Sequence, residues 1–277
     1  MVHLRAIRLY TLAATIAALL GAALPAHAQY KPQALNDPAT GEKYHIEGGV
    51  GLWFPSADIV IASTQFDIVG TSIDLKRDLG LTDQHFPEVF LTLRPTKGQK
   101  LRFQYIPIDY TQSATLKANI VFNGQKYQLG VPVNSELEWK AYRFAYEYDF
   151  IVKNRGFAGF IVEAKYTDVN VRLSAPGPLV EFASAQAPIP ALGGIGRFYV
   201  VPNISITAEV TGFKLPDSID KRYAAHYVDA DIYGTVNVTN YLGAQVGWRS
   251  LDVGYLVKTD TGSLTLQGLY FGAVLRY

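Results

Sequence analysis

The final stretch of the sequence, Ser263 to Tyr277, alternates between apolar and polar positions over fifteen residues. Counted back in steps of two, one face carries Tyr277, Leu275, Ala273, Phe271 and Leu269, and the other carries Arg276, Val274, Gly272, Tyr270 and Gly268. A period of two is that of a β-strand, because successive side chains point to opposite faces. Soluble strands have a mode of about 5–6 residues, whereas a tilted strand that crosses a bilayer needs about 9–11. The stretch therefore predicts a membrane-spanning strand.

Further extended segments follow one another from Tyr44 onward, separated by connections rich in Pro, Asn and Gly. The ten predicted strands are residues 44–54, 88–94, 100–111, 135–151, 157–173, 190–201, 204–215, 227–238, 241–257 and 263–277. Short connections mostly alternate with longer ones, which is the asymmetry of an outer-membrane barrel with short periplasmic turns. The fold class predicted is all-β: a transmembrane, antiparallel, up-and-down β-barrel of ten strands. Eight strands are the alternative if two segments lie outside the barrel.

The apolar residues change phase at two places, near Thr167 and near Ser250. A β-bulge inserts one extra residue into a strand, so it reverses the faces of the residues that follow. We therefore predict a bulge at each of the two places.

The first 28 residues have the features of a signal peptide. Basic residues near the start precede an uncharged apolar run, residues 9–24, and the small-residue exit Ala26-His27-Ala28. The run is short for the roughly 20 apolar residues of a spanning helix, so cleavage after Ala28 is favoured over an uncleaved anchor. Residues 29–43 lack periodicity and are predicted to be a flexible periplasmic lead-in, and residues 44–277 are predicted to form the barrel.

Composition excludes several classes of function. The chain has 25 Lys and Arg against 24 Asp and Glu, so no basic field supports binding to nucleic acid. It contains no cysteine, which rules out disulfides, thiol catalysis and thiolate metal sites. No cofactor is predicted.

The polar parity of the strands carries seven acidic and seven basic residues. These are Glu47, Glu88, Arg94, Arg102, Arg143, Glu147, Glu163, Lys165, Arg197, Glu209, Asp229, Asp231, Arg249 and Arg276. Six of the bases are arginines, whose planar fork favours paired, partly enclosed sites. Large aromatic and aliphatic residues occupy the opposite parity. This predicts a charge network in the lumen and an apolar face toward lipid. A periplasmic lipocalin-like binder, with the two faces reversed, is the alternative.

The signal peptide, the alternating strands, the unequal connections and the final aromatic residue together resemble the small outer-membrane β-barrels of Gram-negative bacteria, with porin-like or OmpA- and OmpW-like architecture. The resemblance implies an outer-membrane monomer in contact with lipid and lipopolysaccharide. It also implies that the last strand is the signal read by the β-barrel assembly machinery, through Leu269, Phe271, Leu275 and Tyr277.

The first long connection holds the most reactive set of residues: Asp74, Lys76, Arg77, Asp78, Asp83 and His85. Carboxylates beside a histidine could position a water for hydrolysis, as in the omptin proteases. A lipid-modifying enzyme could pair His85 with Ser72, or His226 with Ser218, but neither spacing is specific. The histidines His45, His85 and His226 are too scattered to predict a metal site. A solvated loop is the simpler interpretation.

The sequence therefore favours a non-enzymatic barrel that is either structural or a narrow channel for small solutes. An outer-membrane hydrolase at the loop rim is the alternative. No catalytic, cofactor-binding or metal-binding residue is predicted.

Overall fold

The structure is a computed structural model that describes residues 39–62, 72–117, 119–122, 125–176, 180–216, 223–257 and 260–277. The predicted signal peptide and the first part of the lead-in lie outside these ranges. The part of the chain that the structure describes contains no helix with the length and hydropathy needed to cross a membrane.

Strands make up most of the described chain. Their bounds are β1 Ile46–Ala62, β2 Ile73–Asp74, β3 Phe86–Thr96, β4 Gln99–Thr115, β5 Ile120–Phe122, β6 Gln125–Tyr127, β7 Pro132–Lys153, β8 Gly156–Ser174, β9 Val180–Val201, β10 Ile204–Lys214, β11 Tyr223–Asn237, β12 Leu242–Val257 and β13 Asp260–Arg276. A short helix, α1, spans Leu75–Leu79.

Ten of these strands form one closed antiparallel barrel. Each pairs with its neighbours in the order β1, β3, β4, β7, β8, β9, β10, β11, β12 and β13, and β13 returns to pair with β1. The closing ladder runs from Glu47 opposite Arg276 to Ala62 opposite Thr261. The predicted ten-stranded barrel is confirmed, and the eight-stranded alternative is wrong.

Strand β7 shows how the barrel is divided along its axis. Its outward Phe144 is 54% exposed and apolar, whereas the outward Glu138, nearer the extracellular end, is charged. The inward face changes in the opposite sense, from buried Arg143 to buried Trp139. Burial alternates along the strand on either side of Tyr142, so both faces change character at one level.

A row of three tyrosines marks that level on three neighbouring strands. Tyr105 and Tyr142 stack with ring centroids 4.8 Å apart, and Tyr142 lies 6.4 Å from Tyr166. Aromatic girdles of this kind sit at the membrane–water interface of β-barrels. Below the girdle the exterior faces lipid and must be apolar. Above it the exterior faces water, so the polar side chains turn outward and the apolar ones fill the interior.

The apolar interior above the girdle is the main hydrophobic core of the described chain. We call it the apolar layer; its buried members include Ala57, Ile59, Ile73, Leu75, Leu79, Ile106, Ile108, Tyr110, Leu137, Trp139, Leu173, Leu251 and Leu266. Helix α1 covers it from the extracellular side. The side chain of Asp74 caps the helix by accepting hydrogen bonds from the backbone N–H groups of Lys76 and Arg77. Part of the first long connection is therefore a cap with buried leucines.

The predicted bulges are wrong. The pairing runs without a shift through Thr167 and through Ser250 on both sides of each strand. The side chains keep their alternation between the two faces at these positions. What changes is the medium outside the barrel, from lipid to water. The register shifts that do occur lie near the short turns, between Leu93 and Thr96, Asp149 and Ile151, and Ile204 and Ser205.

The lipocalin-like alternative is also wrong. It requires an apolar interior behind a polar exterior along the whole barrel. At the level of Phe144 the exterior is apolar, and the inward neighbour Arg143 is charged and buried.

Replacing Phe144 by Arg tests the position of the lipid belt. The substitution should make folding into lipid vesicles less favourable by about 1–2 kcal/mol, because it places a charge against the hydrocarbon between the girdle and the midplane. Glu138→Arg, on the same face of β7 above the girdle, is the matched control and should change it by less than about 1 kcal/mol. Urea titration of vesicle-inserted protein measures both. Equal losses in the two variants would contradict the boundary at Tyr142.

Replacing Trp139 by Ala tests the apolar layer. Removing this buried side chain should lower the free energy of unfolding by about 3–5 kcal/mol, since a cavity remains in a packed interior. The adjacent Lys140 points outward into water, and Lys140→Ala should stay within about 0.5 kcal/mol of the wild type. A thermal or urea unfolding curve in detergent gives both values. Insensitivity to Trp139→Ala would mean that the interior above the girdle is loosely packed.

Candidate functional site

All fourteen residues of the predicted charge network point into the barrel. Twelve of them are buried, and Arg102 and Asp231 are partly buried. The structure brings them together in two groups. One lies at the membrane level between the tyrosine girdle and the short turns, and we call it the charged layer. The other lies at the end of the barrel that carries the short turns and both ends of the barrel sequence. Because short turns face the periplasm in outer-membrane barrels, we call this end the periplasmic mouth.

Glu209 is the centre of one cluster in the charged layer. It accepts hydrogen bonds from Arg102, at 2.7 Å, and from Arg143. Arg102 also reaches Glu147, with 3.1 Å between nitrogen and oxygen, and Arg143 also binds Glu163. These residues come from strands β4, β7, β8 and β10, so their side chains cross the lumen and join separate parts of its wall.

Asp229 is the centre of a second cluster. Lys165 Nζ and Arg249 Nη2 each lie 2.7 Å from Asp229 Oδ2. Arg249 then bridges to Glu88 at 3.2 Å, and its guanidinium lies over the ring of Trp53. The Trp53 side chain is fully buried, so the cluster meets the apolar layer here. A cavity of about 20 Å³ lies at this boundary, beside Lys165, Arg249 and Leu251.

Two members of the charged layer were missed by the sequence analysis. Lys100 is buried and pairs with Glu147 and with Asp149, the latter at 2.9 Å. The signal was present in the sequence, since Lys100 has the parity of Arg102 and Asp149 has the parity of Glu147. Both lie near the short turns, at the ends of their predicted strands.

A segment ahead of β1, residues 39–43, lies across the periplasmic mouth; we call it the strap. Its backbone is hydrogen-bonded to three of the short turns: Ala39 N to Asn154 O at 3.1 Å, Thr40 N to Pro202 O at 2.7 Å, and Gly41 N to Asn240 Oδ1 at 3.0 Å. Gly41 has a φ of 83°, and a Cβ there would stand 2.8 Å from Arg276 Nη1. The strap belongs to the segment predicted as a flexible lead-in, the rest of which lies outside the described residues.

The strap inserts one carboxylate, Glu42, among arginines of the wall. Arg197 Nη1 and the hydroxyl of Tyr199 each donate to Glu42 Oε1 at 2.8 Å, and Arg94 Nη1 lies 3.5 Å from Oε2. Burial alone raises the pKa of the Glu42 carboxyl, but Arg197, Tyr199 and Arg94 together outweigh it and hold that pKa below its ordinary value. Glu42 is therefore an ionised ligand of this cluster.

Little open space is left in the lumen. A cavity of about 50 Å³ lies among Tyr44, Glu47, Arg102, Asp231 and Tyr270, with other charged residues around it. It has room for a few water molecules at roughly 10–15 Å³ each. The lumen is thus filled at three successive levels: the strap, the charged layer and the apolar layer.

The rim residues proposed for hydrolysis do not converge on one site. Lys76 pairs with Asp83 at 2.9 Å, and Arg77 pairs with Asp78, whose hydrogen bonds to Arg77 lower the pKa of the Asp78 carboxyl. The ring of His85 instead stacks on Phe54, with centroids 5.7 Å apart. Ser218 lies outside the described residues.

A separate histidine–carboxylate pair lies on the outer wall. His226 Nε2 is 2.7 Å from Asp252 Oδ1, and the hydroxyl of Thr265 donates to Asp252 Oδ2 at 2.8 Å. Both members of the pair are about half exposed. Within the described ranges, no three His, Asp or Glu side chains come close enough together to hold a metal ion.

Comparison with solved structures supports the fold. The chain is similar to the outer membrane protease OmpT from Escherichia coli, with a TM-score of 0.53 and 7% identity over 86% of this chain and 98% of OmpT. Similarity is weaker to the Pseudomonas putida toluene transporter TodX, with a TM-score of 0.37 and 9% identity over 87% of this chain and 92% of TodX. It is similarly weak to a Pseudomonas aeruginosa FadL homologue, with a TM-score of 0.39 and 8% identity over 88% and 93% of the two chains.

No protein-family model and no curated protein sequence matches this chain. At 7% identity the similarity to OmpT concerns the fold alone. The resemblance found in the sequence is confirmed at that level: the chain has the ten-stranded fold of a bacterial outer-membrane β-barrel.

Proposed function

We propose that the protein is a closed, non-enzymatic structural barrel of the outer membrane. In this proposal it conducts no solutes and acts through the polar wall that it extends above the membrane. The observation that carries the proposal is the filling of the lumen at three successive levels, by the strap, the charged layer and the apolar layer.

The charged layer supports closure because its pairs are direct. Arg102 contacts Glu147 and Glu209 from one position, so its side chain spans the space that a solute would need. A solute that passed would separate buried ions, which leaves each with an uncompensated desolvation penalty of several kcal/mol. This argues against the narrow-channel interpretation.

The apolar layer supports closure for a second reason. Trp53, Ile108 and Leu266 are fully buried inside the wall, directly beyond the charges. A hydrated ion would lose its water there and gain no polar partner, which is strongly unfavourable. The two barriers are independent, so loosening one does not open the barrel.

Among the described residues, the His226–Asp252 pair most resembles part of a hydrolytic site, but its geometry argues against that role. A nucleophile activated by a histidine must lie within hydrogen-bond reach of the imidazole. The hydroxyl of Thr265 is instead bound to the Asp252 carboxylate. The arrangement fits a surface polar network, as does the loop group of Lys76, Asp83 and Ser56.

Planar-bilayer recordings test closure directly. The wild type should insert without unitary conductance steps in 1 M salt, and a variant lacking residues 29–43 should behave in the same way, since two layers remain above the strap. A general porin inserted in the same membranes is the positive control. Steady conductance steps from the wild type would refute the closed-barrel proposal.

Replacing Glu209 by Ala tests whether the charged layer is structural. Arg102 and Arg143 would be left buried with one acceptor fewer, and the free energy of unfolding should fall by about 3–5 kcal/mol. The exposed pair of Glu138 and Lys140, 3.5 Å apart, provides the matched control, and Glu138→Ala should cost less than about 1 kcal/mol. Urea unfolding in detergent measures both variants. A loss below 1 kcal/mol for Glu209→Ala would mean that water solvates the layer.

A further inference from the structure

The periplasmic mouth carries more positive than negative charge on its wall. Arg94, Arg197 and Arg276 line it, and the one acidic partner that the wall itself supplies to these arginines, among the residues the structure describes, is Glu47, which binds Arg276. The carboxylate that reaches Arg94 and Arg197 belongs to Glu42 of the strap. Two buried arginines of the wall are therefore neutralised by a residue that the wall does not contain.

The strap is attached separately from the barrel. Its backbone N–H groups donate to turn residues, and its carbonyls accept from the side chains of Asn237 and Arg94. The ladder of β1 begins only after it, at Ile46. The strap can leave the mouth without breaking a hydrogen bond between barrel strands. If it left, Arg94, Arg197 and the hydroxyl of Tyr199 would face the periplasm.

Each of these three groups also has a hydrogen bond to the barrel wall that does not involve Glu42. The hydroxyl of Tyr199 accepts one from Asn237 Nδ2 at 3.4 Å. Arg197 Nε donates to Thr207 Oγ1 at 2.9 Å and Nη2 donates to the hydroxyl of Tyr233 at 3.4 Å. Arg94 Nη2 donates to the carbonyl of Lys97 at 3.0 Å. Arg197 and Tyr199 donate to one carboxylate oxygen of Glu42. Arg94 donates to the backbone carbonyl of Glu42 and lies 3.5 Å from the other carboxylate oxygen, so the positive charge of the site suits a planar group with two oxygens.

We propose that Arg94, Arg197 and Tyr199 form a carboxylate-binding site open to the periplasm, in which Glu42 is a displaceable internal ligand. A carboxylate carried by a small molecule or by the end of a peptide takes the place of Glu42 when the strap detaches. The proposal does not depend on closure of the barrel, because the charged and apolar layers lie above the site.

An internal ligand on a short tether competes at an effective concentration in the millimolar range. The wild type should therefore bind a free carboxylate weakly, and removing the competitor should raise the apparent affinity at least about tenfold. If Glu42 only fastens the strap, its removal creates no such affinity.

Two variants remove the competitor in different ways. Glu42→Ala deletes the carboxylate and leaves space for a small acid. Gly41→Val leaves Glu42 intact but places a side chain against Arg276 at a residue with positive φ, so it should dislodge the strap. Full-length folded protein in detergent is titrated by calorimetry with acetate, and with N-acetylalanine to represent a peptide end, at ionic strength held constant with chloride.

Both variants should bind acetate saturably, at least about tenfold more tightly than the wild type, and Arg197→Met in the Glu42→Ala background should remove the binding. Tighter binding of N-acetylalanine than of acetate would identify a peptide end as the ligand. Heat-modifiable migration on gels establishes that each variant is folded. Equal affinity for acetate in the wild type and both variants, or loss of acetate binding when chloride replaces an equal concentration of an inert anion, would overturn the proposal.

Discussion

The structure depends on the closure of β13 onto β1. In hydrocarbon a backbone N–H or C=O without a partner costs several kcal/mol, so a spanning sheet must have no free edge. The ladder from Glu47 and Arg276 to Ala62 and Thr261 supplies the missing partners. Closure of the sheet also limits the width of the lumen, because ten strands enclose a tube only slightly wider than the side chains that fill it. Whatever points inward must find its partners across the lumen.

The medium outside the barrel, lipid or water, then determines which side chains each face of a strand bears. The same parity of β7 holds Arg143 where lipid surrounds the barrel and Trp139 where water does. Periodicity in the sequence gives the parity of a strand but does not say which medium lies outside it. That is why ten strands and their inward charges could be predicted, while the change of medium near Thr167 and Ser250 was interpreted as bulges.

Sequence reasoning failed where no period exists. Glu42 lies in a segment with no alternation, and its partner Arg197 is 155 positions away along the chain, so no local signal could link them. Lys100 and Asp149 were missed for a different reason. They obey the period, but they lie beside short turns, where exposure is the usual expectation. Lys100 instead turns inward and pairs with Glu147 and Asp149.

The blocking of the lumen and the site at the periplasmic mouth are physically separable. The charged and apolar layers already block the lumen, so the strap is not required to exclude solutes. If the strap only sealed the mouth, an apolar side chain would suffice and would avoid the desolvation penalty of a buried carboxylate. The Glu42 carboxylate instead contacts Arg197, Tyr199 and Arg94, and each of these groups has a further hydrogen bond to the wall. An ionised group on a detachable segment is thus bound by polar groups of the barrel wall, as a ligand is bound by its receptor. This favours ligand recognition over sealing as the role of the mouth.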